Sequence, residues 1–153
     1  MKSMRRSDRE ITIQEAEAIL DKAEYGVLST VDKHGQPYGV PLSFVYKNNV
    51  IYFHCALSGH KLENIETNST VSFCVVGNTK VLPDKFATEY ESAVVFGVAS
   101  EIKGAEMHSA LLWLVEKYCP NFIDEGKQYI EQKNKATKCF KIEICHVSGK
   151  ARR

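Results

Sequence analysis

The stretch from Val50 to Ile65, V-I-Y-F-H-C-A-L-S-G-H-K-L-E-N-I, changes its hydrophobic period halfway along, and that change limits what the rest of the chain can build. Its first half is rich in β-branched and aromatic residues. A two-residue period there puts Ile51, Phe53 and Cys55 on one face of a strand and Tyr52 and His54 on the other. Leu57-Ser58-Gly59 breaks the strand. From His60 or Lys61 the spacing becomes helical, with Leu62 and Ile65 on one face and an end near Asn68. Ser58 is the expected N-cap. The free backbone N–H groups of the first turn, a glycine that permits close approach and Lys61 together form an environment suited to phosphate. The plainer alternative is an ordinary strand-loop-helix with a solvated lysine.

The flanking segments extend the same alternation of strands with short helices. Thr12 to Glu15 is a capping-box pattern, and Ala16, Ile19, Leu20 and Ala23 share the face of the helix it starts. Val27 to Val31 reads as a strand, Asp32 to Gly35 as a turn, and Tyr38 to Tyr46 as a strand interrupted by Pro41, which marks an edge or bulge because proline cannot donate to a ladder. Asn48-Asn49 turns the chain into the central strand. Val71 to Val76 is a continuous apolar strand, and the segment from Gly77 to Glu91 reads as a long loop. Ser92 to Ile102 is a further strand, with Gly97 permitting a bend or close approach. Ala105 to Tyr118 is a helix ending before Pro120, and its Leu111 to Val115 run is apolar nearly all round, so it needs cover on more than one side. Asn121 to Lys135 suggests another helix. Lys138 to Val147 returns to strand alternation, with Phe140, Ile142 and Ile144 facing one way.

Six strands with interspersed helices predict a mainly β domain, a small closed or half-open antiparallel barrel. A length of 153 residues fits one domain, 1–153, preceded by a basic arm over 1–10. A net charge of +1 gives no global reason to expect nucleic acid. No signal-peptide core or spanning run is present, so neither a membrane nor export is expected and the cytoplasm is the default. The five cysteines, odd in number and without a C-x-x-C pair, read as reduced core residues, and no ligand spacing suggests a metal. A barrel this small fills its own interior, so a large cofactor would sit outside it, against a second subunit. Arg5, Arg6 and Arg9 read either as a solvated arm or as phosphate-holding groups, and Trp113 and Tyr118 as packing residues.

In order and spacing the segments M-R-R-S-D-R-E-I, G-V-L-S-T-V, V-P-L-S-F, I-Y-F-H-C-A-L-S-G-H-K, V-S-F-C-V-V-G, T-E-Y-E-S-A-V-V-F-G-V-A, E-K-Y-C-P and S-G-K resemble the flavin-binding split barrels of the pyridoxamine 5′-phosphate oxidase-like superfamily. The likeness is greatest to its 5-nitroimidazole antibiotic-resistance branch. It implies a six-stranded FMN-binding split barrel, a homodimer with flavin at the interface, and a small-molecule substrate. Carried over residue by residue, Val40, Leu42 and Ser43 correspond to the strand that lines the flavin ring, and Phe53 and His54 to the end of the next strand. His60 and Lys61 correspond to the phosphate grip and Ser92 to a position that approaches the cofactor. His60 stands where the oxidases typically place an arginine, which leaves both FMN and FAD open. The resemblance implies a flavin-dependent reductase acting on a nitroimidazole, with His54 as proton donor. A pyridoxamine-phosphate oxidase and a flavin- or haem-binding carrier without turnover are the alternatives.

Overall fold

The computed structural model describes Met1–Arg153 as eight strands and four helices: β1 (Glu10–Ile11), α1 (Ile13–Lys22), β2 (Gly26–Val31), β3 (Pro37–Leu42), β4 (Val45–Lys47), β5 (Val50–Cys55), α2 (His60–Thr67), β6 (Thr70–Leu82), β7 (Ala87–Ile102), α3 (Gly104–Tyr118), α4 (Ile123–Lys133) and β8 (Lys138–Arg152). Every pairing is antiparallel, in the order β3-β2-β6-β7-β8-β5-β4, with β1 added beside β8. The path ends at β3 and β4, so no ladder closes the barrel.

The strand count is eight where the residue pattern predicts six. Part of the difference lies between β3 and β4, which a single strand over Tyr38 to Tyr46 would have joined. The break falls at Ser43 and Phe44 rather than at Pro41. Pro41 sits on the terminal strand β3, opposite Val27, so its missing N–H leaves the rest of the sheet intact. Phe44 is fully buried, and its backbone turns to side chains of α3 instead of a neighbouring strand. The expected loop over Gly77 to Glu91 is also replaced. β6 and β7 run on as a hairpin past a register shift between Val76 and Thr79, and a short 3-10 turn over Pro83–Lys85 joins them. β1 supplies the remaining strand, so the arm over 1–10 ends in a sheet pairing.

The central strand follows its alternation. Ile51, Phe53 and Cys55 enter the main core, where the Phe53 ring lies parallel to Phe140 at 5.6 Å. Tyr52 turns to a second cluster beneath α3, against Trp113 at 5.3 Å. Asn48 and Asn49 both take positive φ, 49° and 65°, as a tight hairpin from β4 to β5 requires. At α1 the capping box is complete: the Glu15 N–H donates to Thr12 Oγ1 at 3.1 Å and the Thr12 N–H to Glu15 Oε2 at 2.9 Å. Gly97 marks a close approach, since a Cβ there would lie 2.5 Å from the Glu143 carbonyl oxygen, beside the register shift at Phe96. Cys55 and Cys139 are buried as expected of core thiols, but Cys119 and Cys145 are exposed, and all five cysteines are free. No helix is long and apolar enough to cross a membrane.

Candidate functional site

The end of β5 and the start of α2 bring His54 and Lys61 together. His54 pairs across the ladder with Cys139 and points away from the core face that takes Phe53. Desolvation first, and then the positive charge of Lys61, hold its imidazole below the ordinary value of 6.5. At neutral pH it is an uncharged ring with one N–H donor and one acceptor.

His54 and Ser43 line a cavity of about 590 Å³ whose other walls are α3, α4 and the turn over 134–137. Leu111, Leu114, Val115 and Ile130 make most of it apolar, while Tyr129, Lys133 and Asn134 add polar groups. That size and mixture suit a small planar molecule. The apolar run of α3 is covered on two sides by β5 and α4, yet Leu111, Leu112 and Trp113 remain half-buried.

Phe44, the residue after Ser43, is held by a clamp that local sequence pattern does not reveal. The Tyr118 hydroxyl accepts from the Phe44 N–H at 3.0 Å and lies 2.6 Å from the Glu24 carbonyl oxygen, to which it donates. Lys117 Nζ donates to the Phe44 carbonyl at 2.8 Å and sits 3.9 Å above the Phe44 ring. Burial pushes the Lys117 amine down to about 8 against the favourable pull of Asp21, although the carbonyl and the ring both favour its charged form. These contacts span more than seventy positions of sequence, so the E-K-Y-C-P helix end is the only trace of them in the chain.

The phosphate turn differs from expectation in its cap. Gly59, not Ser58, is the N-cap of α2, at φ 152°, a conformation that residues with a Cβ rarely adopt. Ser58 is exposed, and no side chain caps α2. The first-turn amides therefore remain available to a ligand, beside half-buried Lys61. The exposed His60 ring lies 4.0 Å from that of Tyr38 on β3. Asn64, 3% exposed, donates to the Thr30 hydroxyl at 3.0 Å and so fixes α2 against β2.

The remaining expected residues are dispersed. Val40 and Leu42 pack their side chains on the core, which leaves a ligand only the free backbone edge of β3. Phe53 is fully buried and can offer only its backbone. Ser92 lies at the far end of the sheet. It pairs with Lys150, whereas Cys55, before the phosphate turn, pairs with Lys138, twelve residues earlier on β8 and roughly 40 Å away along the strand. One chain therefore brings His54, Ser43 and Lys61 into one region and leaves Ser92 outside it.

A family model described as pyridoxamine 5′-phosphate oxidase matches residues 12–151. Curated proteins give no match. Among solved structures, the chain is 24% identical to a candidate 5-nitroimidazole antibiotic resistance protein from Bacteroides thetaiotaomicron, at TM-score 0.75 over 93% of this chain and 86% of that one. It is also 24% identical to an FAD-binding protein from Mesorhizobium loti, at TM-score 0.69 over 95% and 98% of the two chains. A haem storage protein from Vibrio cholerae is 17% identical, at TM-score 0.66 over 88% and 92%. Identities this low show a shared fold.

Proposed function

The chain belongs to the pyridoxamine 5′-phosphate oxidase family, and from that premise we propose that it binds a flavin between two copies of itself and reduces a small planar acceptor, with nitroimidazoles as the substrate class. The observation that carries the reading is His54, a neutral imidazole in the wall of a largely apolar cavity and within electrostatic reach of Lys61. Similarity to proteins described as FAD-binding and as a candidate 5-nitroimidazole resistance protein supports it.

The chain's groups fit a flavin phosphate: α2 presents uncapped amides beside a lysine. FMN is the proposed cofactor and FAD the alternative. The flavin supplies the electrons. The apolar walls of α3 and α4 exclude water and orient a flat ring, and Ser43, fixed through Phe44 by Tyr118 and Lys117, adds a hydroxyl at the rim. His54 supplies an N–H hydrogen bond to acceptor oxygens as they become more basic during reduction, an interaction strongest in the transition state.

A second copy is proposed to cover the outer face of β6, β7 and β8, where Val76, Phe96 and Val98 are 55%, 37% and 40% exposed. Such pairing would also let Ser92 of one copy approach the phosphate turn of the other.

The test is His54→Ala, with flavin occupancy and single-turnover reoxidation by a nitroimidazole measured on one preparation. The reading predicts near-normal occupancy and reoxidation slowed by roughly 10²-fold or more. Unchanged reoxidation at full occupancy removes His54 from the chemistry. Reoxidation that stays negligible in the wild type at full occupancy would instead favour the carrier alternative.

A further inference from the structure

The break between β3 and β4 leaves Phe44 outside every ladder, and its peptide groups bond to side chains of α3 instead. Phe44 is fully buried, so its carbonyl requires a donor. Lys117 Nζ stands 2.8 Å from that carbonyl and the Tyr118 hydroxyl 3.0 Å from it. The hydroxyl has a single hydrogen, directed to the Glu24 carbonyl at the shorter distance of 2.6 Å. The donor left for Phe44 is therefore Lys117. Its ammonium also lies 3.9 Å above the Phe44 ring, an attraction that only the charged form provides. Ser43 and Tyr118 line both the cavity that contains His54 and a second one, of about 530 Å³, that contains Lys117, so this break is the partition between them.

No carboxylate lies within 4.0 Å of Lys117. Asp21 and Lys22 of α1, followed by Glu24 and Tyr25, share the wall of its cavity, and of these Asp21 alone raises its ionisation. The ionisable groups that other elements bring to α3 are placed elsewhere: His54, Tyr129 and Lys133 line the other cavity, Lys47 stands over Trp113, and Lys141 pairs with Glu106. Burial therefore prevails and holds the amine at about 8, below its ordinary 10.5. Between those values the unfolded chain binds more protons than the folded one, so stability rises as the amine is neutralised. A clamp that served stability alone would be better made with an uncharged donor. We propose that Lys117 is a positioning residue for the acceptor: its ammonium fixes the Ser43–Phe44 break against α3 and so keeps the Ser43 hydroxyl in the wall of the His54 cavity, an inference that rests on the proposed reduction taking place there.

Amide hydrogen exchange of the flavin-free protein tests the clamp without turnover. Peptides over 40–47, corrected for the intrinsic pH dependence, should exchange roughly tenfold faster in Lys117→Met than in the wild type at neutral pH, and the wild type should approach that rate as pH rises through about 8. Lys117→Arg, which keeps charge and donor, should stay slow throughout. With flavin occupancy measured on the same preparation, the nitroimidazole concentration for half-maximal reoxidation should rise roughly fivefold in the wild type over that interval, remain low in Lys117→Arg, and be high at every pH in Lys117→Met. The melting temperature of the wild type relative to Lys117→Met should rise over the same interval, opposite in direction to acceptor binding, whereas a lysine with a structural role alone would weaken both. The comparison with Lys117→Arg decides the case even if Lys117→Met fails to fold. Unchanged exchange over 40–47 in a folded Lys117→Met protein, or the same pH inflection in Lys117→Arg as in the wild type, overturns the proposal. Exchange that responds as stated, beside a wild type that does not reoxidise at full occupancy, overturns the proposed reduction and the acceptor role with it but leaves the clamp.

Discussion

His54 shows how one side chain's position sets both its chemistry and its cost. Its folded-state ionisation is depressed by desolvation and by Lys61, so below 6.5 the unfolded chain binds more protons than the folded one. Stability should fall as pH drops from 6.5 toward the depressed folded value, and the loss should be complete below it. Urea midpoints measured across this range should therefore decline less steeply for His54→Gln than for the wild type. Identical slopes would mean that the imidazole is solvated like a free histidine. The same depression makes His54 an N–H donor near neutrality, which fits hydrogen bonding to a reduced acceptor. Alternation in Val50 to Cys55 suffices to separate His54 from the Phe53 side of the strand, because a half-buried strand has a fixed period. What period alone does not convey is which element covers the other face, and here α3 and α4 do so from more than fifty residues away.

At the scale of elements, α2 presents its first turn to a ligand only if its other end is held. Asn64 is nearly inaccessible and donates to Thr30, itself 1% exposed, so the bond ties helix to strand within the protein interior. Thr30→Val keeps the shape but leaves the Asn64 amide unsatisfied, and should cost about 1–3 kcal/mol in chemical denaturation while weakening FMN more than riboflavin. An unchanged denaturation midpoint would show that water or another group replaces the hydroxyl. The helix was legible from Leu62 and Ile65, whose burial follows their spacing, but its cap was not. Serine is the stronger capping type, yet Gly59 takes the position because the backbone there needs a conformation that a Cβ resists. The hairpin over Gly77 to Glu91 is not legible in the sequence either. Its residues have little core to face, so they lack the apolar alternation that marks a buried strand, and they pair through backbone alone over Thr79 to Leu82 and Ala87 to Tyr90.

In the whole molecule, the open sheet places the phosphate turn at one end and Ser92 with its neighbouring cations at the other, with exposed apolar side chains on the outer face between them. The barrel interior is filled by Phe44, Phe53, Phe73 and their neighbours, so a flavin has no room inside it. Family membership was readable from the chain because segment order survives even where identity is low, whereas the order of the strands in the sheet was not. The dispersal of the expected contact residues within one copy appears only in three dimensions, and a paired arrangement is what would gather them. Sedimentation velocity, followed at once by protein absorbance and by visible flavin absorbance, tests that arrangement most directly. The account predicts that flavin sediments only with the dimer, and that charged substitutions at Phe96 and Val98 abolish dimer and flavin binding together while the monomer stays folded. A folded monomer that carries flavin with full affinity would contradict it.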